Sequence, residues 1–209
     1  LPRQPAPPLA HPYAARRNRR QGLAPAMRTL VLGGARSGKS LFAEELVAGR
    51  SCLYIATARP WPGDTDFAER INQHVQRRPL HWATEDQRDL LDVLDALDDR
   101  DQADPRGVIL VDDLGTWLTH LLDSAGAWDQ PRGSISEHTN RLLDILSTCK
   151  QDIILVSPEV GMGVIPESQA GRLFRDEIGT LNQRIADICE RVVLSIAGQS
   201  IIIKDTPVD

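Results

Sequence analysis

The chain has 209 residues, of which 41% are hydrophobic and 25% are charged, and its formal net charge at pH 7 is −5. This length and composition are typical of one globular domain with a core of its own. No apolar run reaches the roughly 18–20 residues of a membrane-spanning helix, and an acidic balance disfavours a nucleic-acid partner. Cys52, Cys149 and Cys189 lie in scattered apolar stretches. This spacing predicts core residues of a protein in a reducing compartment, with no disulfide framework and no cysteine metal site.

Residues 1–26 differ in composition from the rest of the chain. They are rich in Pro, Ala and Arg and hold five arginines and no acid, so the remaining residues carry 19 basic and 29 acidic side chains, a net charge of −10. We interpret this stretch as a disordered tail before a single nucleotide-binding catalytic domain at residues 27–209, because it lacks the apolar segment of a signal peptide. A targeting peptide or a basic arm for nucleic acid is the alternative.

The first predicted strand, residues 28–33, leads into a loop of the form G-x-x-x-x-G-K-S and then into a helical pattern at residues 40–48. In this strand–loop–helix context the motif binds phosphate, because backbone N–H groups and a helix N-terminus point at the anion. We expect Lys39 to contact the β- and γ-phosphates and the Ser40 hydroxyl to ligate Mg²⁺. The loop residues predicted to contact the nucleotide are Gly33, Gly34, Ala35, Arg36, Ser37, Gly38, Lys39 and Ser40.

A second strand is predicted at residues 52–57, and a helical pattern follows at residues 64–77. Arg70, His74 and Arg77 or Arg78 recur at the spacing that places side chains on one helix face. Cationic neighbours disfavour a protonated imidazole, and a neutral imidazole is a nucleophile. His74 is therefore a candidate for attack on a phosphate that the arginines hold. A solvated basic helix face with an incidental histidine is the alternative that the spacing leaves open.

The strand predicted at residues 108–112 ends in an acidic residue. This is the usual form of the second element of phosphate-loop proteins, in which the carboxylate holds Mg²⁺. We expect Asp112 to be the metal ligand beside Ser40, with Asp113 as the second choice.

The remaining patterns complete an alternation of strands and helices. Helical patterns lie at residues 87–97, 116–123, 136–149 and 169–190, and strands are predicted at residues 153–157, 191–196 and 201–204, the last two as a hairpin. This order predicts an α/β fold of the phosphate-loop NTPase type, with a mostly parallel sheet, helices on both faces and an antiparallel edge. Ligands then bind beyond the carboxyl ends of the strands, where Lys39, Thr57, Asp112 and Ser157 lie.

Two later segments are candidates for substrate contacts at the same edge. Residues 156–166 leave a strand and turn through two glycines, which suits either a mobile contact to substrate or a plain connecting turn. Arg172, Arg175 and Asp176 lie on adjacent turns of the helix that follows. They are equally suited to phosphate contacts and to ion pairs on the helix surface.

The ordered motifs of the chain resemble those of the bifunctional adenosylcobinamide kinase/adenosylcobinamide-phosphate guanylyltransferase family of cobalamin biosynthesis. The resemblance covers residues 28–204, essentially everything but the tail. It is carried by G-G-A-R-S-G-K-S at 33–40, L-Y-I-A-T-A-R at 53–59, R-I-x-x-H-x-x-R-R-P at 70–79, W-x-T at 82–84, E-V-G-M-G-V-I-P at 159–166, R-L-F-R-D at 172–176 and L-N-Q at 181–183.

The resemblance implies a cytoplasmic enzyme with two activities that uses GTP or ATP and Mg²⁺. It phosphorylates the aminopropanol hydroxyl of adenosylcobinamide, and it then transfers GMP from GTP through a guanylyl-histidine to adenosylcobinamide-phosphate, giving adenosylcobinamide-GDP. The resemblance matches the family's histidine to His74 and implies a homotrimer. Besides the phosphate loop, it implies nucleotide contacts at Ala56, Thr57, Ala58, Val75, Gln76, Arg77, Arg78, Asp86 and Asp112.

The chain departs from the family pattern at two places. Where the family has W-x-T-x-E, Asp86 stands in place of the Glu and Glu85 precedes it, so both carboxylates remain candidates. Where the family has N-E-V-G, Pro158 replaces the Asn and removes an amide and a backbone N–H. Two other functions stay open: a small-molecule kinase in which His74 is a bystander, and a GTP-binding module without catalysis.

Overall fold

The computed structural model describes residues 26–59, 78–98 and 107–206. Within these ranges the strands are β1 Arg28–Gly33, β2 Cys52–Ala56, β3 Ala83–Glu85, β4 Val108–Asp112, β5 Asp152–Pro158, β6 Arg191–Ile196 and β7 Gln199–Asp205. The helices are α1 Lys39–Val47, α2 Leu90–Asp98, α3 Leu114–Ser124, α4 Ser136–Thr148 and α5 Gln169–Ile188.

The seven strands form one sheet in the order β3-β2-β4-β5-β1-β6-β7. All neighbours pair in parallel except β6 and β7, which form an antiparallel hairpin at the edge. The inner strands are apolar along nearly their whole length because both faces of a parallel sheet are covered. The predicted α/β fold with an antiparallel edge is thereby confirmed.

Two apolar layers pack against the two faces of the sheet. On one face, α1 packs Phe42, Ala43 and Val47 against alternate residues of β1, β2, β4, β5 and β6. On the other face, α2, α3, α4 and α5 bury a larger cluster that includes Trp117, which is only 2% exposed. All three cysteines are unbridged, and burial raises the pKa of Cys52 and of Cys189 to about 12. Cys52 and Cys189 are buried, as expected of core residues, whereas Cys149 is half-buried against the core.

Most element ends lie within one or two residues of the sequence expectation, and three differences have clear local reasons. Helix α3 begins at Leu114, two residues before the predicted start, because the Asp113 side chain accepts a hydrogen bond from the Thr116 N–H and caps the helix. Helix α2 begins at Leu90, three residues after the predicted start, since the Glu85 carboxylate holds the N–H groups just before it in a turn. Strand β3 was not predicted, because it has only three residues, all paired with β2, too few to give a pattern in the sequence.

The predicted tail, apart from residue 26, and the predicted helix at residues 64–77 lie outside the described residues. In the ranges that are described, no helix combines the length and the apolar character that crossing a bilayer requires.

The amino edge of the sheet, where the parallel strands begin, is held by ion pairs. The Arg28 guanidinium donates to both carboxylate oxygens of Glu190, and the Arg28 N–H also donates to Glu190 at 2.6 Å. Arg50 pairs with Asp152 at 2.6 Å, and the same carboxylate accepts the Met27 N–H. Burial alone would raise the pKa of Glu190, but the hydrogen bonds from Arg28 outweigh it and lower that pKa.

Candidate active site

The phosphate loop follows β1 at the carboxyl edge of the sheet and turns tightly into α1. Gly38 has φ +95°, a left-handed conformation that favours glycine, and directly precedes the helix. Gly33 also needs to be glycine, because a Cβ there would lie 2.3 Å from Ser37 Oγ and 2.7 Å from the carbonyl oxygen of Ser195. The loop therefore has the conformation in which backbone N–H groups and a helix N-terminus can surround a phosphate.

The β6–β7 turn supports this loop from behind. The Gly198 N–H donates to the carbonyl oxygen of Ser37 at 2.9 Å, and the Cα of Gly198 would lie 3.2 Å from a Cβ built on Gly38. The hydroxyls of Ser37 and Ser195 are buried beside it without a hydrogen-bond partner in the described part of the chain. An edge hairpin about 160 residues downstream thus fixes the shape of the loop.

Ser40 and Asp112 meet in front of the loop. The Ser40 Oγ donates to Asp112 Oδ1 at 3.2 Å, which joins the first turn of α1 to the end of β4. The second carboxylate oxygen accepts the Tyr54 hydroxyl of β2 at 2.6 Å. Burial first, and then the negative charge of Asp112, raise the pKa of Tyr54, so its hydroxyl stays protonated and donates. These contacts hold the Asp112 carboxylate in one orientation.

A hydroxyl beside a single carboxylate suits Mg²⁺, which binds through one or two protein oxygens together with the oxygens of a substrate phosphate. Across the described ranges no group of three or more His, Cys, Asp or Glu side chains could hold a metal by itself. Ser40 and Asp112 therefore fit the nucleotide-dependent Mg²⁺ site that the sequence predicts, and Asp113 does not share it, because its Oδ1 caps α3.

A cation–aromatic stack lies beside the Asp112 carboxylate. The Arg78 guanidinium carbon is 3.7 Å from the centre of the Tyr54 ring, and Trp82 stacks on the same tyrosine with ring centres 6.3 Å apart. The Arg78 Nε is buried and has no hydrogen-bond partner among the described residues. A cation held in this position is suited to contact an anionic ligand.

Of the nucleotide contacts predicted just after β2, some groups hold the fold together and others are free to meet a ligand. Thr57 is 5% exposed; its hydroxyl donates to the carbonyl oxygen of Asp113 at 2.6 Å and accepts the Asp113 N–H at 2.9 Å. The hydroxyl thus joins the ends of β2 and β4. The Ala56 carbonyl accepts from Arg59 at 2.9 Å, and Ala58 is half-buried. The Thr57 N–H donates to the Asp112 carbonyl oxygen at 3.1 Å, so any nucleotide contact of Thr57 would use its own carbonyl oxygen.

The two candidate carboxylates after β3 have different surroundings. Glu85 accepts the N–H groups of Gln87 and Arg88 and the Arg88 Nε, at 2.8–3.1 Å. The backbone bond from Gln87 and then the side-chain bond from Arg88 lower the pKa of Glu85 to about 2. Asp86 is exposed, and among the described residues only the Gln87 amide donates to it, at 2.8 Å. Asp86 is therefore the carboxylate that is accessible to a ligand.

Pro158 does not disturb the end of β5. The Asn182 amide of α5 donates to the Pro158 carbonyl at 3.0 Å, and its oxygen accepts the Ser157 hydroxyl at 2.6 Å. Strand β5 thus remains tied to α5, although proline supplies no N–H. Ser157 is fully buried, and its hydroxyl is bonded to Asn182 and not exposed to a ligand.

Four sequence-predicted site residues fall outside the described ranges, and the arginines of α5 have partners of their own. His74, Val75, Gln76 and Arg77 lie outside the described residues. Arg175 contacts Asp176 at 3.4 Å, and Arg132 pairs with the same acid. These contacts agree with the ion-pair interpretation of this helix surface. Arg172 instead donates to the carbonyl oxygens of Pro166 and Glu167 at 3.0 and 2.5 Å.

Sequence reasoning missed Tyr54 as part of the site. The signal that could have identified it is a single aromatic hydroxyl in a buried strand, two residues before that strand ends. Its contact with Asp112 depends on β2 being the neighbour of β4, with Ala56 opposite Asp112, and a strand order is not written in the sequence.

Comparison with known proteins gives one consistent family. A family model described as "Cobinamide kinase / cobinamide phosphate guanyltransferase" matches residues 29–203. The "Bifunctional adenosylcobalamin biosynthesis protein CobP" of Pseudomonas aeruginosa is 42% identical over 183 residues, which are 87% of this chain and 99% of the relative. The corresponding CobU protein of Escherichia coli is 38% identical over 187 residues, covering 85% of this chain and 100% of the relative.

Among solved structures, the fold is similar to that of a prototypical ATPase from a bacterial type III secretion system. The TM-score is 0.52 and the sequence identity is 12%, over 83% of this chain and 53% of the ATPase chain. At this identity the similarity shows the fold alone, and it agrees with the phosphate-loop NTPase architecture of the sheet.

Proposed function

The chain belongs to the cobinamide kinase / cobinamide phosphate guanyltransferase family of cobalamin biosynthesis, and we propose that it catalyses both reactions of that name. The first is phosphorylation of the aminopropanol hydroxyl of adenosylcobinamide by a nucleoside triphosphate. The second is transfer of GMP from GTP to the resulting phosphate. The observation that carries the proposal is the contact of Ser40 with Asp112 directly in front of the phosphate loop.

In the kinase reaction the loop binds and orients the triphosphate. The backbone N–H groups of residues 34–38 surround the phosphates, and the Lys39 ammonium neutralises charge that develops on the transferred group. Ser40 and Asp112 would hold Mg²⁺, which supplies further charge neutralisation on the phosphate oxygens when it is bound. Tyr54 keeps the Asp112 carboxylate directed toward Ser40.

In the guanylyltransferase reaction we propose His74 as the nucleophile. An imidazole nitrogen attacks the α-phosphorus of GTP, the P–N bond forms, the bond to the bridging oxygen breaks, and pyrophosphate leaves with that electron pair. A phosphate oxygen of adenosylcobinamide-phosphate then attacks the same phosphorus, the P–N bond breaks, and adenosylcobinamide-GDP is released. Arg78, whose Nε is unpaired in the described part of the chain, is suited to stabilise the negative charge on the transferred phosphate.

The remaining proposed nucleotide contacts rest on accessibility for the described residues and on the family resemblance for residues 75–77. We assign a contact to Asp86, because the Glu85 carboxylate is already bonded to the turn that follows it. Gly33–Ser37 of the loop, the backbone at residues 56–58, and Val75, Gln76 and Arg77 complete the proposed set. A homotrimer, as the family implies, is part of the proposal.

The test is to incubate the protein with Mg²⁺ and GTP labelled on the α-phosphate, without corrinoid, and to separate the products by denaturing electrophoresis. We expect a protein-bound label that is labile in acid and stable in alkali, as a P–N bond requires. The label should be absent from His74→Ala and present in His138→Ala, the matched control, since His138 is exposed on α4.

The two alternative functions are distinguished by a second incubation, in which the same proteins receive cobinamide and GTP labelled on the γ-phosphate. A small-molecule kinase would phosphorylate cobinamide without acquiring the protein-bound label of the first incubation, and its rate would be the same in His74→Ala. A GTP-binding module would bind GTP and show neither label nor turnover. A label that persists in His74→Ala would contradict the assignment of the nucleophile.

A further inference from the structure

The loop after β5 exposes a run of apolar side chains. Within residues 159–166, which we call the apolar loop, Val160, Met162, Val164 and Ile165 are 36, 77, 94 and 64% exposed. Single exposed apolar side chains are ordinary on protein surfaces, but a concentration of them marks a binding surface. Four of six consecutive residues, with no charged side chain between residues 160 and 166, form such a concentration.

Both ends of the apolar loop are fixed in place. The Glu159 N–H donates to the carbonyl oxygen of Gly33 at 3.1 Å, so the loop starts against the first residue of the phosphate loop. At the other end Arg172 holds the carbonyl oxygens of Pro166 and Glu167. The Glu159 carboxylate accepts the Gly161 N–H at 2.6 Å and shapes the first turn. The exposed apolar side chains are therefore presented from an anchored segment of the carboxyl edge.

We propose that the apolar loop binds the corrin ring of the corrinoid substrate, an inference that rests on the proposed function. The ring is large, carries extensive apolar surface and bears neutral amides, so an uncharged apolar surface is complementary to it. Its aminopropanol arm must bring a hydroxyl to the terminal phosphate of a nucleotide held by the phosphate loop. A ring bound next to Gly33 allows the arm to reach that position.

The chain offers a control surface of the same chemistry elsewhere. Ile203, on the edge strand β7, is 58% exposed, which is comparable to the exposure of Ile165. It lies near the end of β7, and β7 runs antiparallel to its neighbour, so Ile203 is toward the amino edge of the sheet and away from the phosphate loop. An effect that depends only on removing exposed apolar surface would appear at Ile203 as well.

The experiment compares Met162→Ser/Val164→Ser with Ile203→Ser and the unsubstituted chain. Cobinamide binding is measured by equilibrium dialysis with its visible absorbance, in the presence of a non-hydrolysable GTP analogue, and GTP affinity is measured separately. We expect about tenfold weaker cobinamide binding in the loop variant, because two contacts to the ring are lost, with unchanged GTP affinity. Ile203→Ser should bind both ligands as the unsubstituted chain does. Val164→Ala should weaken cobinamide binding by about threefold and gives a second, milder measurement.

Each other outcome would overturn the inference. Unchanged cobinamide affinity in the loop variants would show that the ring binds elsewhere. A change of mass in light scattering with unchanged cobinamide affinity would assign the apolar loop to a contact between copies of the chain. An equal loss of GTP affinity and cobinamide affinity would show that the apolar loop belongs to the nucleotide site. Failure of the proposed function itself would look different from failure of this inference. In that case the unsubstituted chain would form no corrinoid product when it is given cobinamide and GTP.

Discussion

The two ends of the parallel sheet use their polar side chains in opposite ways. At the amino edge, the charges of Arg28, Glu190, Arg50 and Asp152 are matched by a partner of opposite sign, and several also bind backbone groups. At the carboxyl edge, Arg78 and Ser37 have buried polar atoms that lack a partner within the described ranges. A buried unpaired polar atom costs free energy, and the Arg78 Nε lies beside the Tyr54–Asp112 pair, where a bound ligand can supply the partner.

This difference separates residues that stabilise the fold from residues that are available for chemistry. The amino edge closes the sheet where β1, β5 and β6 begin, and substitutions there should change the free energy of unfolding more than the reaction rate. The carboxyl edge should show the reverse. Four experiments, with five test substitutions between them, test this division from the largest expected effect to the smallest.

Lys39→Ala tests the carboxyl edge most directly. Removing one preorganised charge from a transferred phosphate should lower kcat of the kinase reaction by about 10²–10³-fold, while the free energy of unfolding changes by less than about 0.5 kcal/mol. Steady-state kinetics and urea denaturation measure the two quantities. Lys150→Ala, at an exposed lysine, is the control and should change neither. A Lys39→Ala variant with more than a tenth of the original kcat would contradict the division.

Glu190→Gln tests the amino edge. Losing the charge-assisted hydrogen bonds to Arg28 should lower the free energy of unfolding by about 2 kcal/mol at pH 7 without changing kcat. The pKa of Glu190 is lowered in the folded chain, so its stabilisation is complete above the ordinary Glu pKa and is lost as the pH falls through the folded value. The difference between Glu190→Gln and the original chain should therefore shrink below about pH 4.5. Urea denaturation at pH 7 and at pH 3 measures the free energy of unfolding of both proteins. The same difference between them at the two pH values would contradict this prediction.

Tyr54→Phe removes one hydrogen bond to Asp112 and keeps the ring under Arg78. Groups that orient a metal ligand commonly change metal affinity by 10–100-fold, and we expect about tenfold here. The readout is GTP affinity with and without Mg²⁺. The gain in affinity on adding Mg²⁺ should be smaller in Tyr54→Phe, whereas affinity without Mg²⁺ should be unchanged. Thr139→Val, which removes a buried hydroxyl from α4, should leave both affinities as they were.

Asp86→Asn and Glu85→Gln compare two adjacent carboxylates, one expected to act in ligand binding and the other in stability, and their expected effects are the smallest. Asp86→Asn should weaken GTP binding by a factor of about three to ten, the loss of one charged contact, and leave thermal unfolding unchanged. Glu85→Gln should lower the unfolding temperature, because it weakens the turn before α2, and leave GTP affinity unchanged. The opposite assignment of the two effects would move the nucleotide contact to Glu85.

The sequence predicted those parts of the fold that depend on local composition. Strands β1, β4 and β6 were predicted with their observed bounds, because each is an apolar run bordered by polar residues. Strand β3 was not, because its three residues pair with β2 only after the sheet has formed. Ser40 and Asp112 were predicted to lie together, because Ser40 follows the loop after β1 and Asp112 ends β4, and the carboxyl ends of parallel strands share one edge. Tyr54 was not included, because its contact depends on strand order and register.

The choice between neighbouring residues was only partly accessible from the sequence. The end of the predicted strand favoured Asp112 over Asp113, and the structure adds the physical reason, because Asp113 caps α3. Glu85 and Asp86 differ by one methylene group, and the turn before α2 decides which of them remains accessible. Such choices depend on backbone direction over two or three residues, which hydrophobic patterning does not specify.

The contact between Gly198 and Ser37 also bears on how the protein is made. The phosphate loop is synthesised early, but the hairpin that donates to it follows about 160 residues later. Chains emerge from the ribosome at roughly 5–20 residues per second. The hydrogen bond from Gly198 therefore becomes possible on the order of ten seconds after the phosphate loop is synthesised. We expect nascent chains that end before residue 198 to bind nucleotide more weakly than chains that extend past the hairpin, so that nucleotide capture coincides with closure of the sheet at β6 and β7.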